Sequence, residues 1–315
     1  MTLDFYRGDL VARASHLATL NTEELHRRAA VAARDKDPDT LWALTEAYLT
    51  THGAAGARVS PHTLRTYGEA VRAFLTYATD NAVNLLSPGA NVGALYLRHL
   101  EAAGKSAATV RVKLAGARTL YKALRWAGAT TEDAFADARA APDSTAAWDK
   151  RQPYTEEEMT RLLGAADARM TALLLLCGHS GLRIAEALAL AWADVDLSAR
   201  ALTVKNGKGG KTRRVNLSRS LGAALEALET MEGWEDLVIG GGVDAARERL
   251  GWLCKRAGVG NKGFHALRHY AGTKLVREGH SLDAAARHLG HASIETTRIY
   301  AKWADDGLRE ALDEW

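Results

Sequence analysis

Ala201–Ser218 reads ALTVKNGKGGKTRRVNLS: two short alternating runs, Ala201–Asn206 and Thr212–Ser218, on either side of a tip at Gly207-Lys-Gly-Gly-Lys211. Period-two alternation around a glycine-rich turn marks a β-hairpin, because alternate side chains of a strand face opposite sides and glycine closes a tight turn without strain. The surrounding chain has helical spacing instead. Thr155-Glu-Glu-Glu158 has the form of a capping box, and helices are expected over about 155–166, 168–178 and 181–191. After Arg219 the pattern is helical throughout, apart from a turn around Val238–Gly242. The expected fold class is therefore mainly α, with a small β-hairpin or sheet set in a mostly helical C-terminal domain.

The hairpin is also basic. Lys205, Lys208, Lys211, Arg213, Arg214 and Arg219 fall in a segment free of acids, although the whole chain carries a net charge of only +3. Such clustering suits a polyanion and suits equally a solvated hairpin. Lys208 sits at the tip, where flanking glycines let its ammonium reach outward.

Working outward, four more segments carry chemistry-bearing residues. Gly181-Leu-Arg-Ile-Ala-Glu-Ala-Leu188 is read as a helix start with Arg183 in the first turn and Glu186 three residues on, on the same face. His265-Ala-Leu-Arg268 places imidazole and guanidinium one turn apart, able to converge on one anion. His62-Thr-Leu-Arg65 repeats that spacing and is taken as coincidence. Leu289-Gly290-His291-Ala-Ser293 reads as a helix end, a glycine turn and a new N-cap, and Tyr300 is expected on the helix that Ser293 opens.

Toward the N-terminus, residues 1–37 look helical and form an N-terminal extension. Thr40–His52 is amphipathic through Leu41, Leu44, Ala47 and Tyr48, and Ser60-Pro61 is an N-cap followed by proline at the first helical position. Helices over about Val92–Ala103 and Ser106–Trp126 follow. On the latter, Arg111, Arg118, Lys122 and Arg125 share one face, opposite Val110, Leu114, Ala117, Leu120 and Leu124. A basic stripe backed by an apolar one suits a helix laid against phosphates and suits equally an exposed basic face; with Lys211 and Arg213 of the hairpin these residues are the candidates for DNA binding. The segment order is thus an extension (1–37), a helical domain (38–130), a linker (131–150) rich in Asp, Ala, Pro and Ser, a second domain (151–303) and a tail helix (304–315). In the tail, Ala304, Leu308, Leu312 and Trp315 make an apolar stripe beside Asp305 and Asp306.

Each motif alone is common, but their order resembles the tyrosine recombinase family, the phage integrase and Xer-type site-specific recombinases. The likeness spans about 151–303, and more loosely 40–127, which is similar to that family's core-binding domain. The resemblance implies an enzyme that cleaves and rejoins DNA strands through a 3′-phosphotyrosine intermediate, in integration, excision or chromosome and plasmid dimer resolution. It implies Tyr300 as nucleophile and Arg183, Lys208, His265, Arg268 and His291 as the other catalytic residues, with Glu186 in support. Arg183 and Arg268 would clamp the phosphate and Lys208 would protonate the leaving 5′-oxygen. His265 would accept the phenol proton or hydrogen-bond the phosphate, and His291 would donate to a non-bridging oxygen. No cofactor or metal is expected. The partners would be double-stranded DNA and a homo-tetramer, or a hetero-tetramer with a second recombinase, on two sites. Ala301-Lys302 after the tyrosine departs mildly from the family's usual residues.

Bulk properties are compatible. At 315 residues two domains are expected, and 47% hydrophobic with 25% charged residues is ordinary for a globular chain. Only two cysteines, Cys177 and Cys254, rule out a disulfide framework, and Asp4 and Asp9 stand where a signal peptide needs apolar residues. A soluble cytoplasmic protein is expected. Three alternatives stay in view: relaxation of DNA by type IB topoisomerase-like chemistry, a helical protein that binds DNA without cutting it, and a metal-dependent hydrolase. The last would use His265, His269, His288 and His291, yet HExxH is missing.

Overall fold

In the computed structural model the described residues are 3–143, 152–205, 212–231, 236–290 and 297–300. They form mostly helix with one small antiparallel sheet, in two compact units, Met1–Ser144 and Thr145–Trp315.

The first unit contains α1 (Leu3–Ala18), α2 (Thr22–Asp35), α3 (Pro38–His52), α4 (Pro61–Asp80), α5 (Val92–Ala102) and α6 (Ala107–Trp126). Their starts follow local chemistry: Asn21, Asp37, Ser60 and Ser106 each accept a backbone N–H from the first turn of the helix they open. Pro38 and Pro61 occupy first positions where no N–H is needed. α4 lies against α6, and the core is strongly aromatic. Phe74 meets Tyr96 edge-on at 5.1 Å and Phe135 at 5.0 Å between ring centroids. Leu25, Ala29, Ala32 and Ala33 of α2 join the same cluster as Leu41 and Phe74, and α1 packs on α3. The expected N-terminal extension is thus built into this unit. Its helices present small faces that cannot be stable alone in water and are buried on α3. Residues 131–143 of the expected linker close the same core through Phe135 and Ala138.

The second unit contains α7 (Glu156–Ala165), α8 (Ala168–Gly178), α9 (Ile184–Leu188), β1 (Val195–Asp196), β2 (Ala201–Val204), β3 (Arg213–Asn216), α10 (Arg219–Met231), α11 (Val243–Ala257), α12 (Gly263–Arg277) and α13 (Leu282–Leu289). The capping box at Thr155 is present: its amide donates to Glu158 Oε2 at 2.8 Å while the Glu158 amide donates to Thr155 Oγ1 at 3.2 Å. α8 is buried along almost its whole length from Met170 to Gly178, and α10 and α12 pack on it. A helix apolar all round needs neighbours on every side, which makes α8 the centre of this unit. The hairpin pairs Leu202 with Val215 and Val204 with Arg213. β1 adds a third strand through Val195 and Leu202, two residues too short to register in an alternation pattern. No described helix is long and apolar enough to cross a membrane.

Candidate active site

Gly181 turns the chain between α8 and α9 with φ +62°, a left-handed conformation that favours glycine. An added Cβ there would also lie 2.4 Å from Leu289 Cδ2. Because the turn is made at Gly181, the helix begins only at Ile184. Arg183 is its N-cap in extended conformation, not part of the first turn as expected from the sequence. Glu186 explains the arrangement. Its carboxylate accepts the Arg183 amide at 2.9 Å, filling an orphan N–H of the helix start, and also accepts the Arg183 guanidinium at 2.8 Å.

Glu186 is held from the other side as well. Arg213 of β3 donates two hydrogen bonds to it, at 3.1 and 2.8 Å, in the paired geometry that planar guanidinium and carboxylate favour. Burial alone would raise the Glu186 carboxyl, but the Arg213 and Arg183 bonds outweigh it and hold the pKa down at about 2. Arg213, expected among the DNA-facing residues, therefore points inward, its side chain only 14% exposed. It shares the inner face of β3 with buried Val215, while Arg214 between them is exposed. Gly290, at φ +66°, makes room for it: a Cβ there would sit 2.5 Å from Arg213 Cδ.

Arg268 on α12 is 2% exposed. Its guanidinium donates to the Gly181 carbonyl and, at 2.6 Å, to the Leu289 carbonyl, joining the turn before α9 to the end of α13. Burial, reinforced by the charges of Arg183 and Arg213, lowers its pKa to about 10, so it stays charged at neutral pH. Two of its five N–H donors serve carbonyls, which leaves others for a ligand. A cleft of about 700 Å³ opens here, lined by Arg183, His265 and Arg268 together with Lys262, Arg247 and Asn261. Cations around a concave surface make it suited to an anion, and the Arg183 and Arg268 forks to phosphate oxygens.

Tyr300 closes a single 3₁₀ turn, Arg298–Tyr300, with its amide on the Thr297 carbonyl at 2.9 Å. The helix expected from Ser293 falls largely outside the described residues. The Tyr300 ring, 2% exposed, lies on Gly272 of α12, where a Cβ would come within 2.4 Å of Cζ. Its hydroxyl is 3.0 Å from His269 Nδ1. Burial pushes the phenol up to about 12, against the opposing pull of the Arg268 charge. His265 is exposed and meets His269 edge-on, ring centroids 4.5 Å apart.

Arg183, Glu186, His265, Arg268 and Tyr300 thus all lie in the second unit: Arg183, His265 and Arg268 line one cleft, Glu186 holds Arg183, and Tyr300 packs on the helix that carries His265 and Arg268. Lys208, Lys211, His291 and the tail 304–315 lie outside the described residues. Sequence reading missed His269 as the hydroxyl's neighbour, although its place four residues after His265 puts both on one helix face. His269 and His288, weighed for a metal site, sit beside other groups: His269 at Tyr300, and His288 Nε2 at the His179 carbonyl, 2.9 Å away. On α6 the expected basic stripe divides. Arg118 donates to the Phe135 and Ala138 carbonyls at 3.2 and 2.6 Å, and Arg125 pairs with Asp133 at 2.6 Å, while Arg111 and Lys122 are exposed.

Residues 153–306 match the phage integrase family, and residues 54–128 match the phage integrase N-terminal SAM-like domain. Tyrosine recombinase XerC of Brucella melitensis biotype 1 is 32% identical over 287 residues, spanning 82% of this chain and 89% of that protein. Tyrosine recombinase XerA of Thermococcus kodakarensis is 29% identical over 295 residues, spanning 88% and 96%. Among solved structures, a lambda integrase dimer bound to a COC′ core site has a TM-score of 0.65 at 18% identity, covering 84% of this chain and 77% of that one. The Tn1549 transposon integrase in complex with circular intermediate DNA has a TM-score of 0.64 at 18% identity, covering 87% and 99%. These two share the fold. The family matches and the sequence relatives place this chain in the tyrosine recombinase family of DNA-breaking and rejoining enzymes.

Proposed function

We propose that this chain is a site-specific recombinase that cuts and rejoins double-stranded DNA through a 3′-phosphotyrosine link at Tyr300. The observation that carries the reading is the meeting of Arg183, His265 and Arg268 on one cleft, with Tyr300 packed on the same helix and under the Arg268 charge. Attack on a phosphodiester builds negative charge on the non-bridging oxygens. Arg183 and Arg268 are fixed in advance by Glu186 and by two carbonyls, so they stabilise that charge with little reorganisation. The Tyr300 oxygen bonds to phosphorus as the bond to the 5′-oxygen breaks. Lys208 supplies the proton that oxygen needs, His265 hydrogen-bonds the phosphate, and His291 donates to a non-bridging oxygen. The phosphotyrosine conserves the bond energy, so a second 5′-hydroxyl can reverse the step without ATP. Exchange between two DNA sites calls for four protomers, of this chain alone or with a second recombinase, acting in the cytoplasm on integrated elements or on chromosome and plasmid dimers.

The test is covalent capture. Wild-type protein on a nicked substrate should yield a protein–DNA adduct that persists in excess EDTA. Tyr300→Phe should yield none while binding DNA within a few fold. An adduct on the Phe variant would remove Tyr300 from the mechanism, and loss of cleavage restored by a divalent ion would favour metal chemistry instead.

A further inference from the structure

Two imidazoles stand one turn apart on α12, and the structure separates their surroundings. His265 is exposed and lines the cleft with Arg183 and Arg268. His269 is buried behind it, with Nδ1 3.0 Å from the Tyr300 hydroxyl. The edge-on contact between the two rings, at 4.5 Å and 85°, leaves them facing different groups. Gly272, on the next turn from His269, receives the phenol ring, so α12 fixes both the tyrosine and its hydrogen-bond partner.

We propose that His269, not His265, is the base that takes the Tyr300 proton as the phenol attacks. This rests on the recombinase reading above. With its own proton on Nε2, His269 presents the Nδ1 lone pair to the hydroxyl at a distance that suits proton transfer. The Oη–H bond breaks toward Nδ1 while the Oη–P bond forms and the bond from phosphorus to the 5′-oxygen breaks. That oxygen takes its proton from Lys208, so one proton enters the site as one is stored on His269. Religation runs the same transfers backwards, and His269 returns its proton to the phenolate as Tyr300 leaves phosphorus. The need for a base is plain, since a buried phenol held near 12 is almost wholly protonated at neutral pH. His265 then serves the phosphate alone.

The experiment is single-turnover adduct formation on a nicked duplex with full-length protein, comparing wild type, His269→Ala and His269→Asn. Asparagine keeps an acceptor close to the position of Nδ1 and keeps much of the packing, but it is no base. Both variants should be slower by about 10²-fold, the usual scale for general-base catalysis, with DNA binding and melting temperature close to wild type for His269→Asn. The decisive comparison puts 3-fluorotyrosine, a more acidic phenol, at position 300. If His269 takes the proton, the deficit of His269→Asn shrinks with the fluorinated phenol; a purely structural defect does not. A His269→Asn rate within threefold of wild type, or a deficit unmoved by fluorination, overturns the assignment while leaving Tyr300 as nucleophile. Failure of wild type to form any Tyr300-dependent adduct would instead break the recombinase reading.

Discussion

The two units spend their buried polar groups differently. The first unit's core is aromatic and largely unconcerned with hydrogen bonding: the Tyr96 and Tyr121 hydroxyls are buried with no hydrogen-bond partner among the described residues, and burial pushes the Tyr96 phenol up to about 12 and the Tyr121 phenol up as well, away from ionisation. Its arginines at 118 and 125 hold the 132–138 segment against α6. In the second unit the charged side chains are held by hydrogen bonds. Arg183 and Arg213 share Glu186, and Arg268 ties two loop carbonyls. Burying a charge is costly unless it is paired and hydrogen-bonded, so this network persists only with all its members in place. One unit uses arginine to finish a fold, the other to hold cations ready for an anion.

The largest effects should come from residues proposed to act on the phosphate. Arg183→Ala and Lys208→Ala should each slow cleavage by about 10³-fold or more, the scale of lost electrostatic stabilisation or acid catalysis. A substrate with sulfur at the bridging 5′ position separates them, because sulfur leaves without a proton. Lys208→Ala should recover most of its rate on that substrate and Arg183→Ala little. Equal recovery would show that the acid has been misassigned.

Gly272→Leu should come next. A side chain at this position must displace the Tyr300 ring, since even a Cβ would lie 2.4 Å from Cζ. Cleavage should fall by about 10²-fold, as small misplacements of reacting groups do, while binding to a DNA half-site is unchanged. Wild-type cleavage would mean that the phenol reacts from a position away from Gly272.

Glu186→Gln should act on stability first. The native carboxyl at about 2 lies below its ordinary value of 4.5, so its contribution is fully present above about pH 4.5 and is lost as pH falls toward 2. A shift of that size in a buried group corresponds to about 3 kcal/mol at neutral pH. The gap in unfolding free energy between wild type and Glu186→Gln should therefore be widest near neutral pH and close as the medium is acidified from 4.5 to 2. A gap independent of pH over that range would deny Glu186 its role as the shared anion of Arg183 and Arg213.

What could be read from sequence follows from how far each interaction reaches along the chain. Caps at Ser60 and Thr155 were legible because cap and helix lie within three residues. The hairpin strands were legible from alternation, and that same alternation could have placed Arg213 inside, since it shares a face with Val215. Its partner Glu186, 27 residues away, could not be read locally. Nor could the distance from His269 to Tyr300, which spans 31 residues, or the return of residues 135–138 onto Arg118. Helical periodicity says which residues share a face. It does not say what will be laid against that face.

The α6 stripe turns this limit into the mildest of the predictions. Arg111, Arg118, Lys122 and Arg125 are equivalent by spacing, yet the structure leaves Arg111 and Lys122 exposed and commits the other two to carbonyls and to Asp133. If exposed cations on this face meet DNA phosphates, each contact releases a counterion and adds about 0.9 to the slope of log affinity against log salt. Replacing Arg111 and Lys122 together by alanine should flatten that slope by about 2 and weaken binding by a similar factor on any sequence. Arg118→Ala should leave the slope unchanged and instead lower the melting temperature of the first unit, because two carbonyls lose their donor at a cost of about 1–3 kcal/mol. Salt titrations of binding, set beside thermal unfolding of the same variants, give the two readouts. A slope that falls equally for Arg118→Ala and Arg111→Ala would show that the stripe acts on DNA as a whole, and that the contacts of Arg118 with residues 135 and 138 give way when DNA binds.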